Sequence, residues 1–255
     1  MRMSLDIRKS LEENAASYFE KAKKDKKKIE GAKRVVGEYK KKLSTLEAEK
    51  IEKKTIIAKP VKRDWFEKFR WFVSSDGFIV IGGRDAATNE IVIKKHTGQD
   101  DLVFHTEAPG SPFVVVKKEG KPGNIPEATL QEAATLTAVF SKAWKQGLAA
   151  LQVFCVKPEQ VSKQAKAGEY ITKGAFMIYG EKKFYNPSMN YAVGIYQEKV
   201  MGGPLSAVQR HCKSFVEISQ GDAKLSDVAK LVKKRIGGEL DDIIRALPPG
   251  CKAKA

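Results

Sequence analysis

The sequence predicts an α+β protein: a mostly antiparallel sheet with a few packed helices, preceded by a long N-terminal coiled-coil helix. Three observations carry that reading. Apolar or small residues recur every three or four positions from Leu11 to Leu46, with no proline before Pro60. From Trp65 onwards the pattern changes to short apolar runs broken by turn signals. Helical spacing returns after Pro126 and again near the C-terminus.

The rod comes first. Leu11, Ala15, Tyr18, Ala22, Ile29, Ala32, Val36, Tyr39, Leu43 and Leu46 form a heptad seam, with one position skipped near Asp25. The rest of its surface is mostly Lys and Glu. At 1.5 Å of rise per residue the segment makes a rod of roughly 70 Å. A lone amphipathic helix cannot bury its own seam. The rod is therefore expected to pair with a helix supplied in trans or with a copy of itself. Its lysines, including the run Lys23-Lys24-Asp25-Lys26-Lys27-Lys28, suit either a solvated strut or a basic arm along a phosphate backbone.

The body follows Pro60. Strands are expected at 69–74, 78–81, 90–95, 102–105 and 113–117, with a turn at Gly82-Gly83-Arg84-Asp85. Pro126 opens a helix to about Gln146, with Leu130, Ala133, Thr137, Phe140, Trp144 and Leu148 on one face. Strands are then expected at 150–156, 170–179 and 191–196. A short helix at 205–212, a strand at 215–218 and helices at 223–236 and 239–247 complete the chain. The expected division is a basic coiled-coil helix at 1–60, a body at 61–200 and a C-terminal α/β extension at 201–255, packed on the body.

Charge points to the partner. Among 255 residues Lys+Arg is 47 and Asp+Glu 31, a formal net charge of +16. Residues 1–63 hold 20 of those bases and 10 of those acids, so a quarter of the chain carries most of the surplus. Such an excess calls for a polyanion, nucleic acid before membrane. No run has the apolar length of a membrane span, and the N-terminus lacks the apolar core of a signal peptide. The three cysteines stand far apart with no CxxC, so neither a disulfide framework nor a cysteine zinc site is expected. These features suggest a cytoplasmic protein.

Most catalytic signatures are absent. There is no P-loop, GxGxxG or GxSxG pattern, and His105-Thr106-Glu107 lacks the downstream PCxxC of zinc deaminases. Asp100, Asp101, His105 and Glu107 could hold a divalent metal for phosphodiester cleavage, or could merely close a turn and a strand end. The expectation from these residues is a nucleic-acid-binding protein with no catalytic motif and no cofactor. Its rivals are a metal-dependent RNA-processing nuclease and a general DNA-binding module.

The run from Trp65 to Phe72 interleaves aromatic and basic residues. Exposed, it would be a stacking platform; on a strand, Phe69, Trp71 and Val73 fill the core instead, leaving Lys68 and Arg70 as phosphate contacts. Arg84, Lys94, Lys95, Lys173, Lys182 and Lys183 are further candidates, forming one surface or scattered for solubility.

Several ordered motifs resemble the NFACT-R domain, the RNA-binding module of NFACT ribosome quality control proteins. They are Trp65 to Phe72; Ser75-Asp76-Gly77-Phe78; Ile81-Gly82-Gly83-Arg84-Asp85 with Asn89-Glu90; Ala143-Trp144; Val161-Ser162-Lys163; Gly168 to Ile178; and Gly180-Glu181-Lys182-Lys183-Phe184. Asp6 to Leu46 resembles the end of the family's coiled coil. Where many members read close to His-Ala-Asp-x-His-Gly-Ala, this chain has His105-Thr106-Glu107-Ala108-Pro109-Gly110-Ser111, so the second histidine is replaced by Pro109. The resemblance implies binding to the large ribosomal subunit and to tRNA after a stalled ribosome has split. It also implies an N-terminal NFACT segment as a possible partner for the rod. The RNA-binding set expected on this basis is Lys68, Arg70, Arg84, Asp85, Lys94, Lys95, His105, Lys173, Lys182 and Lys183. Arg84, Lys173, Lys182 and Lys183 are expected to be exposed and to share one patch.

Overall fold

A computed structural model describes residues 4–54, 63–107, 110–164 and 171–254. The chain divides into two units, Met1–Lys62 and Arg63–Ala255. Pro60, Ala108, Pro109, Gly168, Glu169 and Tyr170, the last being the first residue of the expected strand at 170–179, lie outside the described residues.

The first unit is the expected rod, α1 (Leu11–Lys54). A capping box starts it: Ser10 Oγ accepts from the Glu13 N–H at 3.1 Å, and Glu13 Oε2 accepts from the Ser10 N–H at 2.8 Å. Asn14 is buried and donates to the carbonyls of Asp6 and Ser10, each at 3.0 Å, folding the preceding segment onto the first turns. Beyond this hook the seam is solvent-facing: Leu11, Ile29, Val36, Tyr39 and Leu43 are all exposed.

The second unit is built on two antiparallel sheets. The larger contains β1 (Arg70–Val73), β2 (Ile79–Gly82), β3 (Leu102–Thr106), β4 (Val114–Val116), β5 (Val153–Val156) and, after two short strands, β8 (Lys183–Tyr185), in the order β1-β2-β4-β3-β5-β8. The short strands β6 (Val161–Ser162) and β7 (Met177–Ile178) pair with each other. The smaller sheet holds β9 (Tyr191–Tyr196), β10 (Lys199–Pro204), β11 (Phe215–Gln220) and β12 (Cys251–Ala253), in the order β10-β9-β11-β12. The expected boundary at 200/201 runs through β10.

Helices fill the remaining layers. α2 (Ala86–His96) follows β2, and α3 (Glu127–Val139) is joined to α4 (Lys142–Lys145) by a break at Phe140. α5 (Leu205–His211), α6 (Leu225–Ile236) and α7 (Leu240–Ala246) accompany the smaller sheet. α3 packs on β3, β4 and β5 of one sheet and on β9 and β10 of the other. From Thr129 to Val139 only Gln131 is exposed, as a helix between two layers requires. Its buried Glu132 accepts from the Ser75 N–H at 2.9 Å and from Ser206 Oγ at 2.6 Å, tying the β1–β2 turn to α5.

Three expectations need correction. Residues 90–95 lie on α2, not on a strand. Ile91-Val92-Ile93 looks strand-like, but Asp85 caps a helix by accepting from the Thr88 N–H at 2.8 Å, while Thr88 Oγ1 accepts from the Asp85 N–H at 2.9 Å. In the described part of 170–179 only Met177–Ile178 is strand. The helix expected to Gln146 ends at Val139 and restarts behind Ser141, whose hydroxyl accepts from the Ala143 N–H at 3.2 Å. Strands β8, β10 and β12 had no clear sequence signal. β10 holds Gly202-Gly203-Pro204, which reads as a turn, yet the bare backbone of Gly203 lies against Phe72.

Asp101 closes the turn before β3. Its carboxylate accepts from the N–H groups of Gly98 at 2.6 Å and Lys118 at 2.9 Å and pairs with the Lys117 ammonium. Both charged side chains are largely buried. Asp101→Ala therefore leaves Lys117 without its counter-charge, and urea denaturation should show a loss of about 3–5 kcal/mol. Replacing both partners by apolar residues should recover much of it.

Candidate RNA interface

The register of β1 and β2 brings two arginines together. Arg70 lies opposite Gly82, two residues before Arg84. Arg70 Nη1 donates to the Gly83 carbonyl, and Arg84 Nη2 donates to the Phe69 carbonyl at 3.0 Å, so each side chain braces the other's strand. The Arg70 guanidinium also lies 4.2 Å from the centre of the Phe140 ring. These bonds leave most of each guanidinium's donors uncommitted. Both Nε atoms are buried without a partner, and among the described residues no carboxylate is within ion-pair distance of either group. Asp85, the adjacent acid, is occupied capping α2. Burial first, and then Arg84, lower the Arg70 pKa to about 10; burial first, and then Arg245, lower that of Arg84.

This uncompensated charge faces a cavity of about 450 Å³. Arg70, Arg84 and Phe140 form one part of its wall, His105, Phe113 and Phe176 another. His105 stacks on Phe113 with ring centres 4.1 Å apart and planes 19° apart, and Phe176 meets Phe113 edge-on at 5.2 Å. Burial lowers the His105 pKa to about 4, against hydrogen bonds to the backbone of Thr106 and Ser111, so near neutral pH the ring is uncharged. Bare backbone lets the walls approach: a Cβ on Gly83 would fall 1.9 Å from Asn89 Oδ1, which accepts from the Phe113 N–H.

The segment 172–176 forms the cavity's outer wall. Gly174, at φ +81°, donates its N–H to Glu90 Oε1 at 3.1 Å. Lys163 donates to the carbonyls of Thr172 at 3.0 Å and Ala175 at 2.8 Å, and pairs with Glu90 at 2.9 Å. The Lys163 bond first, then the Gly174 N–H, hold the Glu90 carboxyl down at about 2.

The expected RNA-binding residues fall into three places. Arg70, Arg84, Asp85, His105 and Lys173 line the cavity just described. Lys182 and Lys183 line a second one, of about 1,030 Å³, beside β5 and β8, where they pair with Glu107 at 2.7 Å and Glu127 at 3.1 Å. Lys68, Lys94 and Lys95 are exposed outside both, and Lys94 pairs with Glu90 at 3.2 Å. The single exposed patch expected of Arg84, Lys173, Lys182 and Lys183 is not formed: Lys173 shares the Arg84 cavity, and Lys182 and Lys183 line the other. Arg84 is half-buried at the end of β2, and β8 lies beyond three intervening strands, at the sheet's far edge. Phe69, Trp71 and Val73 are core, whereas Trp65 is exposed and stacks on His96 at 4.7 Å. Among the described residues no three His, Cys, Asp or Glu side chains gather as a metal site. Glu90, Phe113, Phe140, Lys163 and Phe176 were not anticipated in the site. The one local signal was Asp85-x-x-Thr88, which marks the start of α2.

The half-buried arginine pair thus lies in an aromatic-lined cavity of an antiparallel α+β body. Residues 68–180 match the family described as the NFACT protein RNA binding domain. The chain is 42% identical over 272 aligned residues to the archaeal Rqc2 homolog aRqcH of Methanocaldococcus jannaschii, covering 98% of this chain and 39% of that protein. It is 39% identical over 180 residues to the human ribosome quality control complex subunit NEMF, covering 69% of this chain and 16% of that protein. A solved structure, the C-terminal part of the fibronectin/fibrinogen-binding protein from Streptococcus suis, aligns with a TM-score of 0.39 and 22% identity over 70% of this chain and 76% of that one. The chain belongs to the NFACT family. It spans well under half the length of these two curated relatives, whose names are those of quality control proteins and not of enzymes.

Two predictions test the site's construction. The His105 pKa is about 4 in the folded chain against 6.5 for the free side chain. The unfolded chain thus takes up the proton first, and stability falls as pH drops through this window. Between pH 7 and 5 the loss should be about 2 kcal/mol. His105→Phe should remove that part of the pH dependence in denaturant titrations. A Cβ on Gly174 would lie 2.5 Å from the Ala86 Cα in a left-handed conformation. Gly174→Ala should displace the outer wall and speed tryptic cleavage after Lys173, with little change in Tm.

Proposed function

We propose that this chain is an RNA-binding protein of ribosome-associated quality control, acting in the cytoplasm on large-subunit RNA, tRNA or both after a stalled ribosome has split. The observation that carries this reading is the arginine pair without carboxylate partners among the described residues, inside the stretch that matches an RNA-binding family. A net charge of +16 and the names of the relatives support it. Lys173 at the cavity mouth and Lys68, Lys95, Lys182 and Lys183 around the body would add phosphate contacts as point charges, while the arginines fork onto single phosphates. The rod, residues 1–60 of the proposed division, pairs its exposed seam with a second helix, from an N-terminal NFACT segment or another copy. Residues 61–200 and 201–255 act as the RNA-binding body and its extension.

Cosedimentation with split large subunits tests this. Subunits carrying peptidyl-tRNA should retain the chain better than empty ones. Affinity for tRNA should fall with salt, with a log–log slope of about −0.7 to −0.9 per phosphate contact. Arg84→Ala combined with Lys182→Ala and Lys183→Ala should weaken binding several-fold. Salt-independent binding, or a preference for duplex DNA over tRNA at fixed salt, would count against the reading.

A further inference from the structure

The cavity is more than a patch of positive charge. Its charged and aromatic walls are set out in order along one end of the larger sheet. Arg70 begins β1, and Arg84 follows β2. Phe113 precedes β4, the next strand, and is joined to β2 where the Gly83 N–H donates to its carbonyl at 3.1 Å. His105 lies on β3, the strand after that. With neighbouring strands about 4.8 Å apart, β2 and β3 are separated by about 10 Å. That matches the reach from the phosphate of a nucleotide to the far edge of its base. The volume of about 450 Å³ suits one nucleotide and not a duplex. The chemistry changes along the same line, from uncommitted guanidinium donors to an uncharged histidine stacked on phenylalanine. A bare anion would use only the first part. A base would use the second, where stacking and neutral hydrogen bonds act.

We propose that this cavity receives a single RNA nucleotide turned out of its strand, its phosphate held by Arg70 and Arg84 and its base held against Phe113, His105 and Phe176. The proposal rests on the RNA-binding reading and names the ligand of that same site. It makes the body a reader of single-stranded or unpaired RNA, because turning out a paired base costs its pairing and stacking. The segment 172–176, fastened by Glu90 and Lys163, closes the cavity from outside, and Phe176 on it bears on the base.

The test uses the full chain and a single-stranded RNA decamer in which 2-aminopurine replaces one base at a time, with affinity and fluorescence read in the same titration. The expected result is binding with a several-fold rise in emission at one or more positions, reversed by excess adenosine monophosphate but not by equal inorganic phosphate. A duplex of the same length should bind at least tenfold more weakly. Arg84→Gln, checked for an unchanged Tm, should abolish the emission change. Should that variant fail to fold, the wild-type imidazole NMR signals decide, since the chain has only three histidines. Adenosine monophosphate should move the His105 signal, and phosphate alone should not. RNA that binds without a change in emission at any position overturns the nucleotide pocket while leaving the RNA-binding reading intact. Equal displacement of the His105 signal by phosphate and by the nucleotide reduces the site to a plain anion site. No RNA binding at all overturns both.

Discussion

A helix exposed beyond its first turn only at Gln131 sets the terms for the rest of the body. α3 is enclosed between a six-stranded and a four-stranded sheet, so each sheet must present an apolar face to it and the two must close around it. Its small residues, Ala133, Ala134 and Ala138, let both layers come near, while Leu130, Leu136 and Val139 fill the space between. Enclosure leaves its polar groups no water. Glu132 therefore binds the Ser75 N–H and the Ser206 hydroxyl, and Thr129 donates to Asp76. Those bonds fix the turn between β1 and β2, and with it the relative register of the two strands that carry the arginines.

The same register creates the functional tension of the molecule. Two like charges placed side by side and half-buried repel each other and lose hydration. The fold accepts that cost with two carbonyl bonds and one aromatic face, and supplies no carboxylate from the described residues. Elsewhere the body neutralises comparable groups carefully: Lys117 has Asp101, Lys163 has Glu90, and Lys199 has Asp64 and Glu67. The arginine pair, by contrast, has no carboxylate within ion-pair distance among the described residues.

The acid cluster shows why residue type alone misleads. Asp100, Asp101, His105 and Glu107 stand close in sequence and would suit a metal. In the fold Asp101 is consumed by backbone N–H groups and Lys117, His105 stacks on Phe113, and Glu107 pairs with Lys182. Asp101, His105 and Glu107 each turn to a different partner, and that of Glu107 comes from a distant part of the chain.

The sequence by itself determined the rod, the antiparallel α+β body and the core role of Phe69 and Trp71, and it named Arg70, Arg84, His105 and Lys173 as candidates, which the fold brings to one cavity. Periodicity, charge surplus and ordered motifs are local properties, and they survive being read one residue after another. Tertiary structure alone decided that Arg70 and Arg84 face one another, that Lys182 and Lys183 stand apart from them, and that Phe113, Phe140 and Phe176 complete the cavity. Those facts follow from strand order, β1-β2-β4-β3-β5-β8, which links segments dozens of residues apart. It also decided that Ile91-Val92-Ile93 is helical, because the Asp85–Thr88 cap and the burial of Val92 against the sheet outweigh the β preference of three branched residues. Burial and charge balance depend on neighbours in space, and a sequence names neighbours only along the chain.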